Sequence, residues 1–388
     1  MTFWEAFRYQ ALPMRVAFGA GSFAQLPDEV RELGLSRVLV ITTPGRAELG
    51  RSAGEMLGRY CAGIHPEAVM HVPVPAAGRA RTVARDLGAD GCVAIGGGSA
   101  IGLAKAVALT GHLPVVAVPT TYSGSEMTPV WGLTDGGTKR TGRDPRVLPA
   151  SVLYDPELTV GLPPGTSGVS GLNALAHAAE ALYAPDASPV TSLMAEEGAR
   201  ALRESLPRVT ENPGDLDART GALYGAWLCG ACLGATAMSL HHRICHALGG
   251  ALGLPHAPTH AVVLPYALAY NLAGGTPQAG RARAALGRAL AQQKNGVAAA
   301  PGTDGHPADP VRALAALNRR VGAPASLGEL GMQAGDADPV AAQVAAAGGP
   351  NPRPVTEEAV RALLLAAQRG ADPAGTAANM TSTSSKPR

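Results

Sequence analysis

Charged residues are scarce in this chain of 388 residues, and no long basic block occurs. They make up 16% of the sequence and leave a formal net charge of +2, so a nucleic-acid-binding face is not expected. No stretch approaches ~18 consecutive charge-free apolar residues, so no membrane-spanning helix is expected. The first residues contain no basic segment followed by an apolar run, so we expect no signal peptide and predict a cytoplasmic protein.

Cysteine is also scarce, with five residues that are scattered along the chain. An odd, scattered set fits a reducing compartment better than a disulfide framework. Cys229 and Cys232 do form a CxxC pair, but they lie in an apolar run typical of a helix, with no second pair nearby. We therefore interpret both as buried hydrophobic residues rather than as a redox or zinc site.

Hydrophobic residues make up 46% of the chain, which is enough for a full core, and the length suggests about two domains. In residues 1–160, uninterrupted apolar strand patterns alternate with helix patterns, which favours a parallel sheet covered on both faces. Residues 161–370 have almost no strand patterns and predict an all-helical domain. The predicted strands are Arg15–Gly19, Arg37–Thr43, Ala68–Val74, Gly91–Ile95 and Leu113–Val118.

The fold class is therefore predicted to be α/β, with an N-terminal parallel-sheet nucleotide-binding domain and an all-α C-terminal domain. The boundary is placed near residue 160, where a Leu-Pro-Pro-Gly sequence breaks the chain. The last residues, 371–388, are rich in Ser, Thr, Pro and Ala and have little to bury. They are predicted to be a disordered tail.

Two loops that follow consecutive predicted strands are candidates for binding a cofactor. The first is Gly96, Gly97, Gly98 and Ser99, whose glycines let the backbone approach a diphosphate at a helix start with free amides. The alternative is a tight turn that merely requires glycine. The second loop would lie at the same carboxyl edge of the sheet, although it could instead be a turn that caps a helix. Its candidate ligands are Thr120, Thr121, Ser123 and Ser125.

Six of the ten histidines are concentrated between residues 176 and 261, which packing alone does not explain. Asn173 and His177 are four apart and share a helix face, as do His242 and His246. A metal site is the first hypothesis, but the helical partner of His177 is a neutral asparagine, and Glu180 at an offset of three is a weak candidate ligand. The residues favour a metal-free polar pocket that transfers protons or stabilises an oxyanion. The candidate catalytic residues are Asn173, His177, His242, His246 and His256.

These motifs resemble those of the iron-containing alcohol dehydrogenase family. In that family a GGGS loop precedes an Asp and Ala-Lys, and the metal is held by an Asp and a His four apart and by two further His separated by fourteen. Here the histidine positions correspond to His177, His242 and His256. The resemblance is strong from Phe18 to about residue 270 and implies a dehydroquinate synthase-like architecture, with a nicotinamide cofactor that Lys139 also contacts.

Three departures from the family pattern resemble its maleylacetate reductase branch: the ligand Asp is Asn173, the Asp after GGGS is Gly102, and the second loop is one residue shorter. The resemblance implies NADH- or NADPH-dependent reduction of the carbon–carbon double bond of maleylacetate to 3-oxoadipate, in aromatic compound catabolism, by a homodimer. An enone already spreads the developing negative charge, so hydrogen bonds from histidines can replace a cation. No metal is therefore expected.

A dicarboxylate substrate needs cationic or hydrogen-bonding partners, and the candidates are Arg243, Arg146 and Tyr122. An ordinary surface position is the alternative for each arginine. Thr42 follows a predicted strand and is a candidate cofactor ligand. No acidic residue follows it to select a free ribose 2′-hydroxyl, and Arg46 is suited to a 2′-phosphate, so both NADH and NADPH are predicted to work.

Three other functions remain open on the sequence alone. A metal-dependent alcohol or polyol dehydrogenase on the same fold would require bound iron or zinc. A lyase of the same architecture would use a nicotinamide without net consumption. A non-catalytic binding protein is the third alternative, which the clustered histidines disfavour.

Overall fold

A computed structural model of the chain describes residues 7–136, 138–291, 293–294, 297–298 and 309–376. Contacts divide the chain into two compact units. One, the sheet unit, consists of Ala11–Leu162 and Pro213–Leu223. The other, the helical unit, consists of the described parts of Met1–Gln10, Pro163–Asn212 and Tyr224–Arg388. The predicted disordered tail lies outside the described residues from residue 377 onwards.

Six parallel strands form the core of the sheet unit, in the order β1-β8-β5-β4-β2-β3. The residues of β2, β4, β5 and β8 are all buried, as expected for apolar strands covered on both faces. The predicted α/β fold class is confirmed. The strands of this unit are β1 (Arg15–Phe18), β2 (Val38–Ile41), β3 (Cys61–His65), β4 (Gly91–Gly96), β5 (Val115–Pro119), the antiparallel pair β6 (Val130–Asp135) and β7 (Thr138–Arg143), and β8 (Ser151–Tyr154).

Helices account for most of the remaining structure. In the sheet unit, apolar residues at helical spacing form α1 (Leu26–Glu32), α2 (Ala47–Leu57), α3 (Val74–Asp86) and α4 (Gly98–Gly111). The later helices are α5 (Pro164–Tyr183), α6 (Pro189–Glu211), α7 (Leu216–Ala235), α8 (Leu240–Leu252), α9 (His256–Leu272), α10 (Pro277–Ala289), α11 (Pro310–Arg320), α12 (Ala337–Ala346) and α13 (Glu357–Arg369). The helical unit also contains a short antiparallel pair, β9 (Gln293–Lys294) and β10 (Val297–Ala298).

The strand predicted at Ala68–Val74 is wrong, and the strand at this point of the fold is β3. Val72 and its neighbour His71 both have positive φ, and Pro73 is the N-cap of α3, so this stretch turns the chain instead of extending it. Strand β3 escaped prediction because its five residues contain a glycine and are mostly half-buried at the edge of the sheet. Its pattern is therefore less apolar than that of the central strands.

The prediction for the CxxC pair is confirmed. Cys229 and Cys232 lie within α7, and neither is exposed to solvent. Burial raises the pKa of both thiols, that of Cys232 to about 12, which keeps them protonated. They behave as small apolar side chains in the helical unit.

Among the described helices, none is by itself long and apolar enough to cross a membrane. Helices α7 and α8 reach that length and composition only as a pair, with a bend of 93° between them.

Candidate active site

The glycine loop lies at the carboxyl end of β4, directly before α4. Gly96 has a φ of 146°, a conformation that residues with a side chain rarely adopt. No side chain caps the first turn of α4, so its amides remain available to an anion. A Cβ atom built on Gly97 would lie only 2.8 Å from Thr121 Oγ1, whereas one on Gly98 would meet no atom within 4 Å. The loop therefore fits a diphosphate that approaches the helix start closely.

The second loop lies beside the first, because Thr120 N–H donates a hydrogen bond to the carbonyl of Gly96 at 3.1 Å. The structure thus brings Gly96–Ser99 together with Thr120 and Thr121. Ser123 is engaged differently, since its hydroxyl donates to Glu126 Oε2 at 3.2 Å and accepts from Ser125 N–H at 3.4 Å. Thr42 is fully buried just after β2, and its Oγ1 has no hydrogen-bond partner in the described part of the chain. The backbone of Lys139, in β7, pairs with Thr134 of β6, but its side chain is not among those that the structure describes.

A buried lysine that sequence reasoning noted only as part of a motif fixes the second loop to α4. Lys105 is fully buried, and its Nζ donates to the carbonyls of Ser125 (2.6 Å), Thr128 (2.7 Å) and Val130 (3.0 Å). Burial lowers the pKa of Lys105 to about 7, against the opposing effect of the buried Glu126 carboxylate. Because α4 begins within the glycine loop, this one side chain fixes the position of the second loop relative to the glycine loop.

We expect Lys105→Met to destabilise the protein by about 3–5 kcal/mol, because three carbonyls lose a buried donor and Glu126 loses its cationic neighbour. The shift of the urea unfolding midpoint, at an m-value equal to that of wild type, measures the change in the free energy of unfolding. Thr110→Met, at an exposed position of the same helix, is the control and should stay within about 0.5 kcal/mol of wild type. Equal stabilities of Lys105→Met and Thr110→Met would contradict this role.

Helices α5, α8 and α9 of the helical unit bring all six clustered histidines together. His242 lies at the centre, with ring centroids 5.1 Å from His177 and 5.0 Å from His260. His256 lies 4.1 Å from His260 and 6.3 Å from His246. The candidate residues predicted on separate stretches of sequence therefore form one continuous group, completed by His241, whose centroid lies 5.0 Å from that of His242.

Three of these six imidazoles are held neutral by their surroundings. Burial, and then the charges of the neighbouring histidines, hold the pKa of His177 and His260 well below the usual value. The same two causes lower the pKa of His241 to about 4. Several buried polar atoms of the cluster have no hydrogen-bond partner in the described part of the chain, which indicates a site shaped for a polar ligand. These atoms are Asn173 Oδ1, His177 Nδ1, His242 Nε2 and both ring nitrogens of His260.

Glu180 is the one carboxylate of the cluster, among the described residues, and sequence reasoning considered it only as a weak metal ligand. Its Oε2 accepts from His242 Nδ1 at 2.7 Å and from the Ser239 amide at 2.8 Å, and its Oε1 accepts from the His241 amide at 2.9 Å. Burial favours the neutral acid, but the hydrogen bond from His242, the nearby histidine charges and the Ser239 amide lower the pKa of Glu180 to about 2. The sequence feature that could have identified Glu180 is its position as an acid in an otherwise apolar helix, one turn after His177.

At residue 173 the donor set departs from the one that holds iron in the family pattern. Asn173 offers a neutral amide oxygen where the family has a carboxylate, so a divalent cation would lack an anionic ligand at this position. Among the described residues, two groups of three ligand-type side chains have their ligand atoms within 4.8 Å of one another, and neither group contains His177 or His256. The groups are His241, Cys245 and His260, and Glu180, His241 and His242.

The three candidates for substrate binding have different surroundings. Arg243 lies on α8 beside His242, and its Nη1 donates to the carbonyl of Gly348, while its Nε and Nη2 are buried without a partner in the described residues. Arg146 lies in the sheet unit, where its exposed guanidinium is engaged by Asp144. Tyr122 is fully buried in the sheet unit, and its hydroxyl accepts from Arg219 at 3.4 Å. Of the three, Arg243 alone lies on a helix that also carries residues of the histidine cluster.

Comparison with known proteins agrees with the family resemblance inferred from the motifs, which is confirmed. Residues 13–156 match the family described as iron-containing alcohol dehydrogenase, and residues 168–368 match the C-terminal part of the Fe-containing alcohol dehydrogenase family. A maleylacetate reductase from Burkholderia cepacia is 50% identical over 369 residues, covering 95% of this chain and 99% of that protein.

Two solved maleylacetate reductase structures, from Agrobacterium tumefaciens and from Rhizobium sp. strain MTP-10005, each match with a TM-score of 0.87 and 46% identity. Each match covers 95% of this chain and 100% of the solved chain. The chain therefore belongs to the iron-containing alcohol dehydrogenase family, within its maleylacetate reductase branch.

Proposed function

We propose that this chain is an oxidoreductase that uses NADH or NADPH to reduce the carbon–carbon double bond of maleylacetate to 3-oxoadipate. The full-length similarity to maleylacetate reductases supports the substrate. The observation that carries the chemistry is the histidine cluster, in which four of the six side chains are buried and which has Asn173 where its family has a metal-binding carboxylate. Such a site supplies hydrogen bonds and protons to a developing oxyanion without adding a negative charge.

The residues of the chain have distinct tasks in this reaction. When bound, the nicotinamide supplies the hydride that adds to the alkene carbon β to the ketone. The glycine loop and the first turn of α4 hold the diphosphate through backbone amides. The histidine cluster stabilises the enolate oxygen and protonates the α carbon. Arg243 binds a substrate carboxylate through its unpartnered Nε and Nη2.

We further propose that the reaction needs no resident metal ion. In an enone the conjugated system delocalises the negative charge that follows hydride addition, so neutral donors are sufficient where a simple carbonyl would need a cation. The neutral Asn173 also avoids repulsion with a doubly negative substrate. This proposal is specific to the substrate class, because a plain aldehyde or ketone lacks that delocalisation.

The surroundings of Thr42 support the use of both cofactors. The loop after β2 contains Thr42, Thr43, Pro44, Gly45 and Arg46, and none of these residues is an acid that would repel a 2′-phosphate. Arg46 supplies a positive charge in the same loop. We propose that NADPH and NADH are both substrates, that the enzyme acts in the cytoplasm in aromatic compound catabolism, and that it forms a homodimer.

A cofactor-oxidation assay tests the function. Purified protein is mixed with NADH or NADPH and with maleylacetate, or with simple aldehydes and ketones as alternatives. We expect the cofactor to be oxidised with maleylacetate but not with the aldehydes or ketones. This activity should persist after all divalent metal ions are removed with a chelator. Stoichiometric iron or zinc together with loss of activity in chelator would instead identify a metal-dependent alcohol or polyol dehydrogenase. Substrate conversion without net cofactor oxidation would identify a lyase.

The close approach at Gly97 gives a paired test of the cofactor site. We expect Gly97→Ala to raise the KM for NADH about tenfold, corresponding to ~1.4 kcal/mol, because the new Cβ pushes against Thr121 and displaces the loop. Thr121→Ala removes both atoms that lie within 3 Å of this Cβ, so the double variant should recover part of the loss. Steady-state kinetics with NADH as the varied substrate measure both values. A KM for Gly97→Ala equal to that of wild type would count against this site.

A further inference from the structure

The hydrogen bonds of Glu180 determine which ring nitrogen of His242 carries a proton. A carboxylate with a pKa of about 2 is ionised at neutral pH and only accepts hydrogen bonds. The 2.7 Å contact between Glu180 Oε2 and His242 Nδ1 therefore requires a hydrogen on Nδ1. The second ring nitrogen, Nε2, is the one left to meet a substrate, and it has no partner within the described residues.

A neighbouring contact agrees with this assignment. His241 Nε2 lies 3.0 Å from the carbonyl oxygen of His260, which also only accepts, so His241 carries its hydrogen on Nε2. The Nδ1 atom of His241 is then a lone-pair acceptor that faces His242 Nδ1 at 3.4 Å. The Nδ1–H group of His242 thus has two acceptors nearby, Glu180 Oε2 and His241 Nδ1. Neither of them contacts Nε2.

Glu180 is also fixed in place independently of the imidazole. Its carboxylate accepts the backbone amides of Ser239 and His241, which are among the unsatisfied amides at the start of α8. The positive end of this helix further favours the ionised carboxylate. Because His242 is in the first turn of the same helix, one carboxylate sets both the helix start and the ring orientation.

We infer that Glu180 is a positioning residue that makes His242 Nε2 the proton donor of the reaction. This inference rests on the proposed reduction and deepens it by choosing among six histidines. Of the groups that face His242, burial lowers the pKa of His177, His241 and His260, and none of these three has a hydrogen bond to a carboxylate among the described residues. Those that face it are His177 from α5, His241 and His246 from α8, and His260 from α9.

In this step His242 gives one proton to the enolate and later regains it. Hydride addition places an electron pair on the enolate formed from the substrate. The His242 Nε2–H bond breaks, its electrons stay on Nε2, and the enolate pair forms the new C–H bond at the α carbon. His242 changes from imidazolium to neutral imidazole with its hydrogen still on Nδ1. A proton taken up from the solvent then returns to Nε2, and the Glu180 carboxylate balances the positive charge of the ring.

Glu180→Gln tests the positioning role, because an amide no longer compels a hydrogen on His242 Nδ1. We expect kcat to fall about 10- to 100-fold, as for other partners that orient a functional histidine, with the KM for NADH unchanged. Glu180→Asp should restore part of the loss because it keeps the charge. Glu197→Gln, on the partly exposed surface of α6, removes a carboxylate elsewhere in the helical unit and should behave as wild type.

A double-mutant cycle with His242→Gln separates positioning from general destabilisation. If Glu180 acts through His242, Glu180→Gln adds no further kinetic loss in the His242→Gln background, although the free energy of unfolding still falls because α8 loses its cap. Independent, multiplicative losses would overturn the inference. The proton positions are read separately, by long-range ¹H–¹⁵N spectra of the substrate-free protein. A hydrogen on His242 Nε2 alone in the wild type would overturn it as well, whereas absence of maleylacetate turnover would refute only the proposed function.

Discussion

Replacing Arg243 with methionine is expected to raise the KM for maleylacetate about 100-fold, corresponding to ~2.7 kcal/mol, with little change in the KM for NADH. The Nε and Nη2 edge of a guanidinium donates two parallel hydrogen bonds to a carboxylate, and in Arg243 both atoms are buried without a partner among the described residues. The third nitrogen, Nη1, is held by the Gly348 carbonyl and fixes the orientation of that edge. Methionine keeps the length of the side chain but removes every donor.

Two further arginine variants sharpen this measurement. Arg243→Lys keeps the positive charge but loses the planar pair of donors, so its KM should lie between those of wild type and Arg243→Met. Arg361→Met removes an exposed arginine that is ion-paired with Asp338 on α12, and it should leave both KM values unchanged. A loss in Arg243→Met that falls on kcat alone would show that Arg243 does not bind the ground-state substrate.

The central features of the fold could be predicted because they depend on local patterns. β4 and β5 are uninterrupted apolar runs, and the glycine loop follows the first of them, so both the sheet and the position of the candidate phosphate loop could be predicted from the sequence. Strand β3 was missed because an edge strand needs fewer apolar residues. The apolar residues around Pro73 gave a pattern typical of a strand, although they form a turn and the start of α3. In that stretch, backbone conformation determined the structure more strongly than side-chain character.

At the candidate site, the residue types could be predicted, but not their connections. The fourfold spacing of Asn173 and His177 indicated a shared helix face, and the histidine cluster was expected. Glu180 and His242 are 62 positions apart, so only the packing of α5 against the start of α8 shows that they form a hydrogen bond. For the same reason, nothing in the sequence near Lys105 shows that its ammonium group ends among the carbonyls of Ser125, Thr128 and Val130.

Asn173→Asp is expected to strengthen cation binding at the histidine cluster, and to impair the reductase. A carboxylate at residue 173 restores an anionic ligand one helical turn before His177, so added Zn²⁺ should raise the Tm of the variant but not that of wild type. Without added metal, kcat/KM for maleylacetate should fall about 10- to 100-fold, since a buried negative charge repels the dicarboxylate and its enolate. Thermal unfolding and initial rates, each with and without Zn²⁺, measure the two effects.

Asn173→Ala distinguishes the added charge from the loss of the amide. If repulsion is the cause, Asn173→Ala should retain more activity than Asn173→Asp and should gain no stability from Zn²⁺. The opposite order would show that the Asn173 amide itself contributes a hydrogen bond to the reaction. Zn²⁺ stabilisation of the wild type with a gain in turnover would show that three imidazoles and an amide do hold a working cation. If the expected results hold, the exchange of one nitrogen for one oxygen at residue 173 determines whether the cluster acts through a metal or through its own protons.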